Sequence, residues 1–250
     1  MVIFPIADER TSAESVSVWP AIEGRLKQNA SAYWLVTQPS HAALAGDLAA
    51  ALREDLFGPI DQTVARSIAL HDAGWNMEDA EQIQRLRSDP KQKPSSFLDA
   101  DTDQFLRAWT ASIETAQRFA AVGGYLVSRH FDRLSLHGEQ KGKSKLEAFR
   151  KREKERQQML RTGINHEQPA LERLVDALQF CDALSLYLCC GSSQTIKFER
   201  PALTVSRRSD EYRIQPSPFS GQRQFSFSAL RHPVLTGKSV QSGATFHINI

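Results

Sequence analysis

The sequence predicts a mainly α-helical protein with a small β-sheet built from its terminal segments. Two textures predict this. Between about residues 38 and 190, apolar residues recur at helical spacing. Residues 2–6 and 33–37 are short runs that read as strands, the second rich in aromatic and branched side chains, and the stretch after Gly191 alternates apolar and polar side chains between Pro and Gly. A third observation is composition: 250 residues, 41% hydrophobic and 24% charged, suffice for a well-buried core without staples. The expected organisation is one domain over 1–250. A helical core at 38–190 carries a strand-rich appendage at 195–250, which packs on it with residues 2–6 and 33–37.

Taken in order, residues 2–6 and Tyr33-Trp-Leu-Val-Thr37 read as short strands. Ser40 is a plausible N-cap for a helix to about Leu56, ended by Gly58-Pro59. Its inner face reads His41, Leu44, Ala45, Leu48 and Leu52. A second helix covers about Gln62 to Gly74, with Val64, Ile68, His71, Asp72 and Trp75 on one broad face. Residues 76–104, polar and broken by Pro90 and Pro94, suggest a long loop or lid. A third helix is expected from about Phe105 to His130, where Gly123-Gly124 would admit a neighbouring backbone or bend the helix. Residues 139–161 hold nine Lys or Arg against four Glu and read as a solvated helix or mobile arm. Pro169 suits the first turn of a helix running to about Leu188, with Leu171, Leu174, Leu178, Cys181, Asp182 and Ser185 inward. Ile196/Phe198, Leu203/Val205, Tyr212/Ile214, Phe225/Phe227 and Phe246/Ile248/Ile250 then mark terminal strands.

Several function classes lose support. The net charge of +2 gives no reason to expect nucleic acid or an acidic membrane as the main partner. The three cysteines, Cys181, Cys189 and Cys190, are odd in number and two are adjacent, which reads as reduced thiols. The apolar start Met1–Ile6 is too short for a signal peptide, and no run approaches the ~20 apolar residues of a membrane span. A cytoplasmic protein with no membrane partner is expected. No Walker loop, dinucleotide fingerprint or Gly-x-Ser-x-Gly elbow occurs, so Ser40 is read as a cap rather than a nucleophile.

What remains is a set of costly residues. Imidazole or carboxylate on the buried stripe of a helix needs a partner or a cation. Four successive predicted helices each place at least one there: His41, His71 with Asp72, His130, and Asp182. One such histidine is more often hydrogen-bonded in a core. Four helices agreeing point instead to a metal, and mixed imidazole and carboxylate donors suit zinc, iron, manganese or nickel.

The order of these residues resembles the HD superfamily of metal-dependent phosphohydrolases. Leu70-His-Asp-Ala-Gly-Trp75 is similar to that family's His-Asp-x-Gly turn, and Phe180-Cys-Asp-Ala-Leu-Ser185 to its late metal-binding helix. More narrowly, Tyr33-Trp-Leu-Val-Thr-Gln-Pro-Ser-His41 and His71-Asp-Ala-Gly-Trp75 resemble the bacterial family called domain of unknown function 3891, over nearly the whole chain. The resemblance implies an HD-type helical core. It implies His41, His71, Asp72 and Asp182 as ligands of one divalent transition metal (Mn, Fe, Ni, Co or Zn). It further implies water on that metal attacking an ester of a small phosphorylated substrate, nucleotides among the candidates. Asp72 would bridge to a second metal or orient water, and His130 would join it in catalysis. Lys91, Lys93, Arg129 and Arg133 are positional candidates to orient the phosphate.

Two departures matter: Trp75 stands where several phosphodiesterase members have Lys, and the Gly-Tyr-Pro segment of cyclic-dinucleotide phosphodiesterases is absent. Two alternatives keep the site. One is a di-iron oxygenase drawing further ligands from His130 and His137. The other is a non-enzymatic, metal-stabilised binding or regulatory module that uses segment 139–161 for a partner.

Overall fold

A computed structural model describes residues 1–9, 14–137, 142–208, 211–236 and 240–250. In chain order, β1 (Val2–Pro5) and β2 (Val16–Ser17) precede α1 (Val18–Leu26) and β3 (Tyr33–Val36). Then follow α2 (Gln38–Ala51), the single turn α3 (Glu54–Phe57), α4 (Gln62–Ile68), a 3-10 turn at Ala73–Trp75 and α5 (Asn76–Ser88). Next come α6 (Thr102–Phe119), α7 (Ala121–Leu134), α8 (Lys143–Arg161) and α9 (Gln168–Cys189). Strands β4 (Ile196–Phe198), β5 (Leu203–Arg208), β6 (Glu211–Gln215), β7 (Gln224–His232) and β8 (Gln241–Asn249) complete the chain. The protein is mainly helical, and no helix among the described residues is long and apolar enough to cross a membrane.

The strands divide into two sheets rather than one. In the first, ordered β1-β3-β7-β8, every pairing is antiparallel, with Val2 opposite Val36 and Leu35 opposite Leu230. Strands β1 and β3 thus join the C-terminal β7 and β8, as expected for residues 2–6 and 33–37. The second sheet, β2-β4-β5-β6, pairs Val16 with Ile196 in parallel and is otherwise antiparallel.

Helix α9 is the central element. It packs against α1, α2, α3, α7 and β1, and every residue from Phe180 to Cys189 is buried. A helix apolar all round is expected to lie inside. Asp182 and Ser185 are the polar exceptions on that buried stretch, and Asp182 therefore needs a compensating group.

Helix α2 ends at Ala51 instead of about Leu56, the second expected helix ends at Ile68 instead of about Gly74, and three further expectations are corrected. Helix α2 starts at Gln38, before Ser40, because Thr37 is the cap: its hydroxyl accepts from the Ser40 N–H at 3.2 Å and Pro39 fixes the first turn. The segment 76–104 is not a loop throughout, since α5 occupies half of it. That helix buries little beyond Asp79 and Leu86, so it shows almost no apolar period to read. The long helix expected over 105–130 is two helices. Ala120, at φ −158° and ψ 147°, breaks it ahead of the glycines. The break lets Gly123 face Ser67 of α4 so closely that a Cβ there would lie 2.7 Å from the serine hydroxyl.

The basic segment follows the helical of its two alternatives. Its residues 139–141 lie outside the described residues, and Lys143–Arg161 form the regular helix α8 rather than an arm, though not one solvated on every face. Leu146, Phe149, Glu153 and Gln157 form a buried stripe on it. Glu153 is fully buried and accepts from Ser128 (3.1 Å), Arg152 (3.1 Å) and Arg156 (2.9 Å), while Gln157 donates to Ser128. Stripping away this acceptor leaves the Ser128 hydroxyl and the Arg156 guanidinium short of a partner. Glu153→Ala should therefore lose about 1–3 kcal/mol in chemical denaturation, with Glu153→Gln losing less.

Candidate metal centre

Three helices and a turn bring the predicted polar residues to one point. His41 sits one turn into α2. His71 and Asp72 follow α4, whose helical hydrogen bonds end at Ile68, and lead into the 3-10 turn. His130 lies near the end of α7, and Asp182 lies midway along α9. His41 Nε2 and His71 Nε2 each lie 3.3 Å from Asp182 Oδ1. Asp72 Oδ2 lies 3.6 Å from His41 Nε2 and 3.9 Å from His71 Nε2. His130 Nε2 lies 3.5 Å from the other oxygen, Asp182 Oδ2. The His71 ring meets those of His41 and His130 edge-on, with centroids 5.1 and 5.6 Å away. All five residues named from the sequence are thus neighbours.

One ligand atom each from His41, His71 and Asp182 lies within 4.8 Å of the others, and this buried group could hold a metal ion. Asp72 flanks it. The hydrogen bonding of the rings fits that role. The His71 Nδ1 lies 2.8 Å from the Ile68 carbonyl, an acceptor, so Nδ1 carries the proton and Nε2 is left to bind. His41 Nδ1 and both nitrogens of His130 are buried without a protein partner, which buried polar atoms seldom tolerate.

The charges are mutually dependent. Burial pushes the Asp182 carboxyl upward, but hydrogen bonds from His41 and His71 outweigh it and hold Asp182 far below the usual carboxylate range. Burial opposes charge on His71, yet Asp72 and the contact with Asp182 raise it to about 9. Burial raises Asp72 above its ordinary value against the pull of His71 and His41. For His130 burial prevails over the attraction of Asp182, and its pKa falls to about 3. The metal-free cluster therefore carries its positive charge on His71 and keeps His130 neutral. Its ion pair gives full stabilisation below the ordinary His value of 6.5 and loses it as pH rises through about 9.

Among the proposed phosphate-orienting cations, Arg129 is engaged with Asp132 at 2.7 Å and Glu172 at 2.9 Å. Arg133 is engaged with Glu172 at 2.7 Å and Asp176 at 2.6 Å. These pairs pin α7 to α9 around the site. Lys93 donates to Asn29 at 2.8 Å, and Lys91 is exposed. The His137 side chain, a further candidate ligand, lies outside the described residues.

Two residues escaped the sequence reading. Gln38 donates from Nε2 to Asp72 Oδ2 at 3.2 Å, and its backbone N–H donates to Asp79 Oδ2 at 2.5 Å. Both are buried, at 3% exposure each. The available signal was a polar residue one turn before His41 on the same helix. Asp79 gave none, because α5 itself was not foreseen.

The fold and site define a mainly helical protein with a buried His/His/Asp group able to hold a metal. A family model described as "Protein of unknown function (DUF3891)" matches residues 26–231, and the chain belongs to that family. No curated protein and no solved structure matches the chain significantly.

Two outcomes follow from this geometry. Metal binding requires the His71 Nε2 lone pair, so uptake at pH 7.5 should expel about one proton per ion, falling toward none above pH 9–10. Calorimetric titration in buffers of different ionisation enthalpy measures this count. The second outcome concerns Gly74, whose N–H donates to Ser112 Oγ at 2.9 Å. A Cβ on Gly74 would lie 2.0 Å from the Ala108 carbonyl oxygen of α6. Gly74→Ala should push the turn and Asp72 away from α6, costing about 1–3 kcal/mol in a thermal melt and weakening metal uptake.

Proposed function

We propose that the protein is a metal-dependent hydrolase of HD type that cleaves an ester of a small phosphorylated substrate. The observation that carries this reading is the convergence of two imidazole nitrogens and a carboxylate oxygen on one point, with a second carboxylate alongside. His41, His71, Asp72 and Asp182 would hold the ion, and this donor set suits Mn, Fe, Co, Ni or Zn. A divalent ion there lowers the pKa of a bound water from about 15.7 to about 7 and neutralises charge on a phosphoryl oxygen.

The chain's own residues supply the rest. Asp182 and Asp72 balance the charge of one divalent ion. His71 is held by the Ile68 carbonyl in the tautomer that presents Nε2. His130 keeps a neutral ring beside Asp182 with neither nitrogen in a protein hydrogen bond, so its N–H can donate to a phosphate oxygen. With Arg129 and Arg133 committed to carboxylates, the ion and His130 are the groups placed to meet the phosphate.

A second reading rests on burial. The three histidines are at most 1% exposed, and Asp72 and Asp182 are 7% and 5% exposed. A site so enclosed also suits an ion that stabilises a binding or regulatory module.

Metal analysis of protein purified without added metal should find a transition metal. His71→Ala and Asp182→Ala should each abolish it. Phosphomonoesters and diesters, nucleoside monophosphates first, should turn over with added Mn, Co or Ni. Asp72→Ala should remove that activity, and His130→Ala should lower it with the metal retained. Bound metal with no turnover across the panel, and a large loss of thermal stability on chelation, would establish the second reading instead. Wild-type protein that takes up no metal would sink both.

A further inference from the structure

Gln38 has two hydrogen-bonding groups at the candidate site and uses only one of them on protein. Its amide Nε2 donates to Asp72 Oδ2 at 3.2 Å. As a metal ligand Asp72 would only accept, which matches the amide nitrogen facing it and leaves the amide oxygen facing elsewhere. That oxygen, Gln38 Oε1, is buried and has no protein donor. A buried carbonyl left in this state is costly, and such groups normally meet a donor.

The side chain is also held in place from both ends. Its backbone N–H is bonded to Asp79, Pro39 follows it in the first turn of α2, and the residue is 3% exposed. One turn further along the same helix, His41 Nε2 lies 3.6 Å from the same Asp72 oxygen that Gln38 grips. Helix α2 therefore contributes a ligand and a group that orients another ligand, and the second group still has an acceptor to spend.

We propose that Gln38 is a positioning residue of this metal centre. Its amide N–H fixes the rotamer of Asp72. Its amide oxygen accepts a hydrogen bond from an O–H group held at the ion, either water or a substrate hydroxyl. The inference rests on the metal-site reading above. It adds that a ligand taken beside Asp72 and Gln38 would have to offer an O–H donor.

Cobalt(II) is the probe, because its visible spectrum reports the number and geometry of its ligands independently of any turnover. Wild-type protein, Gln38→Met and Gln38→Ala are titrated with Co2+ after circular dichroism has established that each is folded. Met keeps the length of the side chain without either polar group, and Ala serves if Met does not fold. Both leave the backbone bond to Asp79 intact. The expected result is about 10- to 100-fold weaker Co2+ binding by the variants, the usual scale for losing a group that orients a ligand. The visible bands should also change in shape, since Asp72 and the O–H ligand both lose their hold. A folded variant with wild-type affinity and an unchanged spectrum would overturn the role of Gln38 while leaving the metal site standing. Wild-type protein that binds no Co2+ would instead remove the metal site, and the role of Gln38 with it.

Discussion

A carboxylate halfway along the most buried helix must be neutralised, and the arrangement around α9 follows from meeting that need at Asp182. Moving an isolated carboxylate into a low-dielectric interior costs many kcal/mol, and in real proteins the residual penalty is still several kcal/mol after relaxation. Three histidines from three other parts of the chain surround it, with Nε2 atoms 3.3 to 3.5 Å from its two oxygens. His71 takes the positive charge, and His130 stays neutral chiefly because burial disfavours its charged form, with repulsion from His71 a smaller addition. Helices α2, α7 and α9 and the turn after α4 must therefore meet with little freedom. The cluster is a packing constraint as well as a candidate site of chemistry.

The surroundings hold those elements in register. Arg129 and Arg133 of α7 clamp Glu172 and Asp176 of α9, which fixes the helices carrying His130 and Asp182. Helix α8 is tied to α7 by the buried Glu153 bonded to Ser128, two residues before His130. On the opposite side Asp79 of α5 binds the first N–H of α2, three residues before His41. Buried polar networks of this kind are favourable only when every member is satisfied, and nearly all of these are. Among the described residues, four of the seven buried side-chain atoms without a hydrogen-bond partner belong to this region, His41 Nδ1, both nitrogens of His130 and Gln38 Oε1, and the others to Arg25, His166 and His232. The His41, His71 and Asp182 group could hold a metal ion.

Membership of the matched family gives the chain relatives but no activity, so the chemical argument rests on the site. Two carboxylates and two or three imidazoles would leave one divalent ion close to electrically neutral. On the proposed hydrolase reading, a phosphate dianion would be held mainly by the ion and by hydrogen bonds rather than by excess positive charge. The engaged state of Arg129 and Arg133 points the same way.

Much of this was legible in the residues alone. Helical period placed His41, His130 and Asp182 on inward faces, but it carried the second helix to Gly74, past the end of α4 at Ile68, and only the family resemblance suggested a turn at His71-Asp-Ala-Gly-Trp75. Alternation located β4 to β8, and short runs of strand-forming residues located β1 and β3, while the two-residue β2 stayed hidden. Periodicity is a local property, and it assigns a face only where apolar residues mark one. Helix α5, which buries only Asp79 and Leu86, and the break at Ala120, which no Gly or Pro occupies, therefore stayed hidden. The capping of α2 by Thr37 depended on which of two hydroxyl residues the backbone chose.

Distance is the other limit. His41 and Asp182 are separated by 141 residues, and nothing local decides that their side chains end 3.3 Å apart. Nor could spacing show that Gln38 reaches Asp72, that α8 lies down on Ser128, or that the cluster is almost closed to solvent. The sequence by itself determined which residue types face inward and in what order they come. Only the tertiary structure decided which of them touch, because that depends on how the helices pack, and packing is set by the whole buried surface at once.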